Sequence, residues 1–180
     1  PALPPTLLEQ ALLAVQGFED AGARAQGLVA VAAVLAEPAQ TELVHEALGL
    51  TGNVADATAR TMTLSGMVGA LTRGGSFEAA LRAAEGIDEE RVRAHALGTV
   101  AEAFARHGQG SRAVEIATRA LEVAPAGERA QIVSAVSGVA RRLAEEGEQH
   151  EAAEVAAQAL SASEVMGAGA EGVRALGEVA

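Results

Sequence analysis

One stretch, Ala94 to Pro125, reads as a complete helix-turn-helix repeat and recurs in weaker form along the whole chain. It sets Leu97, Val100, Ala101 and Phe104 on a first helix, turns at Gly108, places Ala113, Ala117, Ala120 and Leu121 on a second helix, and closes at Pro125. The skeleton returns as Leu28-Val31-Ala32-Leu35, Leu64-Met67-Val68-Leu71, Val136-Val139-Ala140-Leu143 and a shortened Leu176-Val179-Ala180, at steps of 36, 33, 39 and 40 residues. Self-similarity at this spacing predicts helix pairs stacked on their neighbours, because one pair alone cannot bury its apolar face.

The composition agrees. Forty-four of the 180 residues are Ala, and the only aromatic residues are Phe18, Phe77 and Phe104. Ala orders into a helix without loss of side-chain entropy and lets helices approach closely. No segment alternates β-branched and aromatic residues as a strand would. The apolar stripe Leu97, Val100, Ala101, Phe104 has helical spacing, with Arg93, Glu102 and Arg106 off it. The expectation is an all-α protein.

The chain opens with Pro4, Pro5 and Thr6 at a helix start, and that helix runs to about Gln16, where Gly17 stops it. Residues 11–20 align with 80–89, and Arg24 and Leu28 match Arg93 and Leu97 at the same offsets. The chain therefore opens on the second helix of a repeat. Four pairs follow, with first helices near 23–36, 57–73, 90–106 and 128–146 and second helices near 40–49, 77–85, 110–123 and 149–162. Turns within pairs carry Pro38, Gly74-Gly75, Gly108 and Gly147. Links between pairs carry Thr51-Gly52-Asn53, Gly86, Pro125-Ala126-Gly127 and Gly167-Ala168-Gly169. A last first-type helix begins near 170, its Glu171, Arg174 and Glu178 polar enough for a solvating cap. No linker is long enough to separate a second domain, so residues 1–180 read as a single helical-repeat domain.

This arrangement resembles the tetratricopeptide repeat family, whose repeat is ~34 residues of helix-turn-helix. Ala94 to Pro125 carries the resemblance best: Leu97, Ala101, Phe104, Gly108, Ala113, Ala120 and Pro125 sit at the family's large, small, aromatic, turn, close-contact and stop positions. Ala117 departs from it, standing where the family favours a large aromatic, and the steps of 39 and 40 exceed the family norm. The resemblance implies a right-handed α-solenoid of about five stacked antiparallel helix pairs, about ten helices. It also implies a concave groove lined by the first helices, which grips a protein or peptide segment. Carried over by position, that groove shows Gln26, Met62, Ser65, Gly69, Arg73, His95, Thr99, Glu102, Arg106, Ser134, Ser137 and Arg141. Arg73, Arg106 and Arg141 come from three successive repeats and form a candidate ladder for an acidic or C-terminal segment, since a guanidinium grips a carboxylate with two parallel hydrogen bonds. The alternative is that each Arg pairs with a Glu on its own surface. The clamp of chaperone-tail-binding members uses Lys and Asn. This chain has no Lys, and its one Asn, Asn53, lies in a link.

The formal charge of −11 disfavours nucleic acid as a partner. It solvates exposed helix faces. Glu145, Glu146, Glu148, Glu151 and Glu154 gather around one turn, where carboxylates near a helix N-terminus interact favourably with its dipole. There is no Cys, hence no disulfide or thiolate site. The longest uncharged runs, Ala25 to Ala36 and Thr61 to Thr72, fall short of the ~20 residues a membrane span needs. Pro1 to Pro5 lacks the basic flank of a secretory signal, so a cytoplasmic location is expected. All 13 basic residues are Arg; with the Ala and Gly richness, this points to a GC-rich bacterial genome.

No catalytic constellation emerges. His45, His95, His107 and His150 are dispersed, and no H-E-x-x-H pair is present. Gly108-Gln109-Gly110 with Ala113 imitates a dinucleotide motif, but a helix precedes it where that motif requires a strand. No phosphate-binding loop or nucleophile elbow occurs. The reading is a non-catalytic interaction scaffold with no cofactor and no metal. The rival readings are a self-associating structural segment and the sensor arm of a larger bacterial signalling protein.

Overall fold

The computed structural model describes residues 4–35, 39–127 and 129–177, with side chains described as far as Ser163 apart from Pro5. Among these residues there are nine α-helices and no strand: α1 (Pro5–Gln16), α2 (Ala21–Ala32), α3 (Ala39–Thr51), α4 (Ala57–Arg73), α5 (Phe77–Glu85), α6 (Glu90–Arg106), α7 (Gly110–Val123), α8 (Arg129–Glu145) and α9 (Gln149–Gly177). None of the described helices is long and apolar enough to cross a membrane. The chain divides into two compact units, residues 1–92 and 93–180.

In the first unit α2 packs on α3, α4 on α5, α2 on α4, and α1 on α2. Its core is Leu28, Val29 and Ala32 of α2, Val44 and Ala47 of α3, Leu64, Met67, Val68 and Leu71 of α4, and a run of buried alanines on α5. In the second unit α8 packs on α9, and α7 meets both. There the core is Leu97, Val100 and Phe104 of α6, Ile116 and Ala120 of α7, Val136, Val139 and Leu143 of α8, and Val155 of α9. The described copies of the skeleton are thus the buried seam of α2, α4, α6 and α8, with Leu35 half-buried just past the end of α2; the copy at Leu176, Val179 and Ala180 lies outside the described side chains.

The connectors show why the chain turns where it does. After α4 the Ser76 N–H donates to the Leu71 carbonyl (3.0 Å), after α6 the Gln109 N–H donates to Phe104 (3.0 Å), and after α8 the Glu148 N–H donates to Leu143 (2.9 Å). The glycine before each donor has positive φ: +81° at Gly75, +67° at Gly108 and +90° at Gly147. Its own N–H donates to Thr72, Ala105 or Ala144. This pair of bonds closes a helix around one left-handed residue, which Gly adopts without the Cβ penalty. The sequence reading placed these three turns correctly; Pro38 lies outside the described residues.

The starts of α2 and α4 share a second device. Asp20 accepts from the Ala23 N–H (2.6 Å) and Asp56 from Ala59 (2.7 Å), each satisfying a donor that the helix leaves open. Arg24 then reaches back to the Phe18 carbonyl (Nε, 3.1 Å) and Arg60 to Val54 (Nη1, 3.2 Å), both six residues upstream. Arg60 also clasps Asp88 (Nε to Oδ2, 3.2 Å), tying α4 to the connector that follows α5. The same six-residue spacing recurs in sequence at Ile87 and Arg93.

Three expectations are corrected. α9 runs unbroken from Gln149 to Gly177, so Gly167-Ala168-Gly169 is helix and not a link, and the described helices number nine where ten were expected. Glycine costs a helix about 1 kcal/mol against Ala but does not forbid it, and no Pro enforces a stop there. The side chains of Glu171, Arg174 and Leu176, and all of residues 178–180, lie outside what is described. Gly17 ends α1 with φ −74°, a right-handed conformation, so it does not serve as a left-handed stop. α2 spans Ala21–Ala32 where 23–36 was expected: Asp20 caps it two residues earlier, and it ends four residues sooner, the Val34 and Leu35 N–H groups donating three residues back to Val31 and Ala32.

Candidate binding faces

The residues predicted to line a groove fall on one exposed side of each first-type helix. On α4, Met62, Ser65, Gly69 and Arg73 follow helical spacing opposite the buried Leu64, Met67, Val68 and Leu71 seam. Met62 is 67% exposed. Gln26 of α2 belongs to the same side, since its amide lies 3.3 Å from where a Cβ on Gly66 would stand. The Arg73 guanidinium folds back along α4, its Nη1 3.4 Å from the equivalent point on Gly69.

In the second unit His95, Thr99, Glu102 and Arg106 form the matching stripe on α6, and Ser134, Ser137 and Arg141 lie on α8. The two helices approach closely where Gly98 faces Ala135, with 3.6 Å between an ideal Cβ on one and the Cβ of the other. Three of the four stripe hydroxyls are turned into their own helices. Ser65 donates to Thr61 (2.8 Å), Thr99 to His95 (3.1 Å) and Ser137 to Val133 (2.8 Å). That leaves shallow surfaces of small side chains whose oxygens still have lone pairs for a ligand N–H.

The arginine ladder is not evenly spaced. Measured from the turn, Arg73 and Arg106 each stand two residues after the anchoring carbonyls of Leu71 and Phe104. Two residues after Leu143 is Glu145; Arg141 is two before it, in register with Glu102. The third rung is therefore displaced by about 6 Å along its helix. Arg106 also pairs with Glu102 at 2.9 Å on its own helix, and Arg142 with Glu145 at 2.8 Å. The α6 stripe reads Glu then Arg, whereas α8 reads Arg then Glu. Arg73 belongs to the first unit, Arg106 and Arg141 to the second.

Sequence reasoning missed a cleft of about 670 Å³ between α7 and α9, bordered by Glu115, Glu122, Glu151 and Glu154, with Arg119 and His150. At its floor the Thr118 hydroxyl donates to Gln158 Oε1 (2.6 Å). Its glutamates come from two helices, and only their packing gathers them. Glu148 and Glu151 also lean over Gly110 at the start of α7, their Cγ atoms 3.5 and 3.1 Å from its ideal Cβ. They act on the N-terminal dipole of α7 as well as on that of α9. Among the described residues no three His, Asp or Glu side chains converge in a way that could hold a metal ion.

Comparison with known families, curated proteins and solved structures finds no match to this chain.

Proposed function

We propose that the chain is a non-catalytic, tetratricopeptide-like scaffold, a right-handed solenoid of helix pairs in the bacterial cytoplasm, that holds a peptide or protein segment along its first helices. The observation that carries this reading is that each first-type helix, α4 in the first unit and α6 and α8 in the second, has a stripe of small residues with Ser65, Thr99 and Ser137 bonded inward, edged by Arg73, Arg106 or Arg141. An extended or helical segment can approach such a surface closely and still find polar partners. The turn geometry supports the repeat reading, because three successive hairpins use the same glycine and the same two backbone bonds.

The charge order refines the partner. Arg73 favours an acidic side chain or a terminal carboxylate, and Glu102 already occupies Arg106. On α8 the Arg141 position takes the acid. The expected ligand carries acidic groups at defined spacing and is not uniformly acidic. The test is a titration with peptides chosen from a random library on the wild-type protein. Binding that survives Arg73→Glu, Arg106→Glu and Arg141→Glu together would contradict the reading.

A further inference from the structure

We propose that the exposed stripes of α6 and α8 dock on the same two stripes of a second copy of the chain, about a two-fold axis parallel to the helices. What carries this is the order of their charges. Counted back from equivalent turns, Glu102 is level with Arg141 and Arg106 is level with Glu145. Toward its C-terminal end α6 therefore reads Glu then Arg, and α8 reads Arg then Glu.

The packing of the two helices lets these orders meet. Gly98 lies against Ala135, two residues short of its register counterpart Ser137, and α6 and α8 close in the same kind of turn, so they run side by side in one direction. A half-turn about an axis parallel to both keeps each residue at its level and exchanges left for right. It lays α6 on α8 of the partner, and α8 on α6. Glu102 then meets Arg141 of the partner subunit, and Arg106 meets the partner's Glu145; symmetry repeats both pairs. The two-residue shift displaces each pair by about 3 Å, which the long side chain of Arg spans. An axis across the helices would also set Glu102 against Arg106, but it would overlap only the last turns. Parallel alignment brings the slimmer halves of the stripes together too, with Thr99 opposite the partner's Gly138 and His95 opposite the partner's Ser134.

The charges are available for this. Among the described residues Arg141 has no ion-pair partner in its own chain, and it is exposed. Arg106 holds Glu102 at 2.9 Å and Arg142 holds Glu145 at 2.8 Å, yet the Glu102, Arg106 and Glu145 side chains stay 43%, 46% and 50% exposed. A carboxylate has about four acceptor sites and a guanidinium five donors, so both pairs can persist and be joined. The result is an alternating row: Arg142 and Glu145 of one copy, Arg106 and Glu102 of the other, then Arg141 of the first. Isolated surface pairs contribute little, whereas a network of this kind contributes more. Two copies with a net charge of −11 repel over most of their surface, but this row holds three Arg and two Glu and is not negative. The contact is isologous, so it closes at a dimer. It uses residues assigned above to a peptide, so a peptide and a second copy exclude each other on this unit. The test contains no peptide, and either reading can fail alone.

Sedimentation equilibrium with variants of unchanged net charge tests the proposal. The wild type should be a dimer at high concentration and grow no further. The double variant Glu102→Arg, Arg106→Glu reverses the order on α6, and Arg141→Glu, Glu145→Arg reverses it on α8. Each alone sets like charges against each other and should weaken the dimer roughly a hundredfold or more. Mixed, the two are complementary again and should form a one-to-one pair. All four side chains are at the surface, and circular dichroism checks that the variants are folded. Should either fail to fold, the single change Arg141→Glu should still weaken the wild-type dimer about tenfold. A wild type that stays monomeric at ~1 mM, where even a weak contact is populated, would overturn the proposal. So would assembly beyond a dimer, a folded reversed variant that dimerises as well as the wild type, or a mixture of the two that fails to pair.

Discussion

Gly22 of α2 lies against the Thr63 hydroxyl of α4: a Cβ on Gly22 would stand 2.6 Å from Thr63 Oγ1, which already donates to the Ala59 carbonyl at 2.9 Å. Thr63 is buried, β-branched and held to its own helix, so it cannot yield. Gly22→Ala should destabilise the protein by about 1–3 kcal/mol through overpacking. In the Gly22→Ala, Thr63→Ala double variant most of that loss should return. Urea denaturation measures both; a double variant no better than the single would show that the clash is not the cause.

The same Gly-to-Ala change should have opposite signs at two other positions. Gly108 has φ +67° and nothing within 4 Å of an added Cβ, so the cost there is conformational, about 1–2 kcal/mol. Gly49 lies inside α3 with equal free space and no positive φ, so Ala should stabilise by about 0.5–1 kcal/mol. Midpoints of chemical denaturation compare the two directly.

Phe104 is 1% exposed at the centre of the second unit, and Arg112 of α7 sits over its ring at 5.8 Å. Phe104→Ala should cost about 3–5 kcal/mol. It should cost more than Leu81→Ala on α5, which is 5% exposed and opens a smaller cavity. Thermal melts rank the pair.

For ligand binding, Arg73→Ala should lose about 1.5–3 kcal/mol, the value of a hydrogen bond to a charged group. Arg106→Ala should lose less, because Glu102 already engages that guanidinium. Calorimetric titration with one selected peptide distinguishes them; equal losses would show that the Glu102 pair opens on binding.

Much of the helix plan was legible because it depends on local chemistry. Phe104, Gly108 and Ala113 announce a helix, a left-handed stop and a restart within ten residues, and the backbone bonds follow. The caps at Asp20 and Asp56 were equally local, and the repeated four-residue spacing from each Asp to Arg24 and Arg60 could have revealed them. The unbroken α9 was less legible, because Gly167 and Gly169 are compatible with either a link or a helix. The offset of Arg141 was legible as well, because the 39-residue step of the apolar skeleton sets Arg106 against Glu145 and Arg141 against Glu102. The α7–α9 cleft depends on which Glu side chains tertiary packing brings together, and no spacing within either helix encodes that.

The most direct test of the binding account is to select a peptide on the wild-type protein and map it by amide chemical-shift perturbation. The account predicts shifts along the exposed stripes, at Met62, Gly69 and Arg73 on α4, at His95, Thr99 and Arg106 on α6, and at Ser134 and Arg141 on α8. Shifts confined to the α7–α9 cleft around Thr118 and Gln158, or a selection that yields no binder, would contradict it.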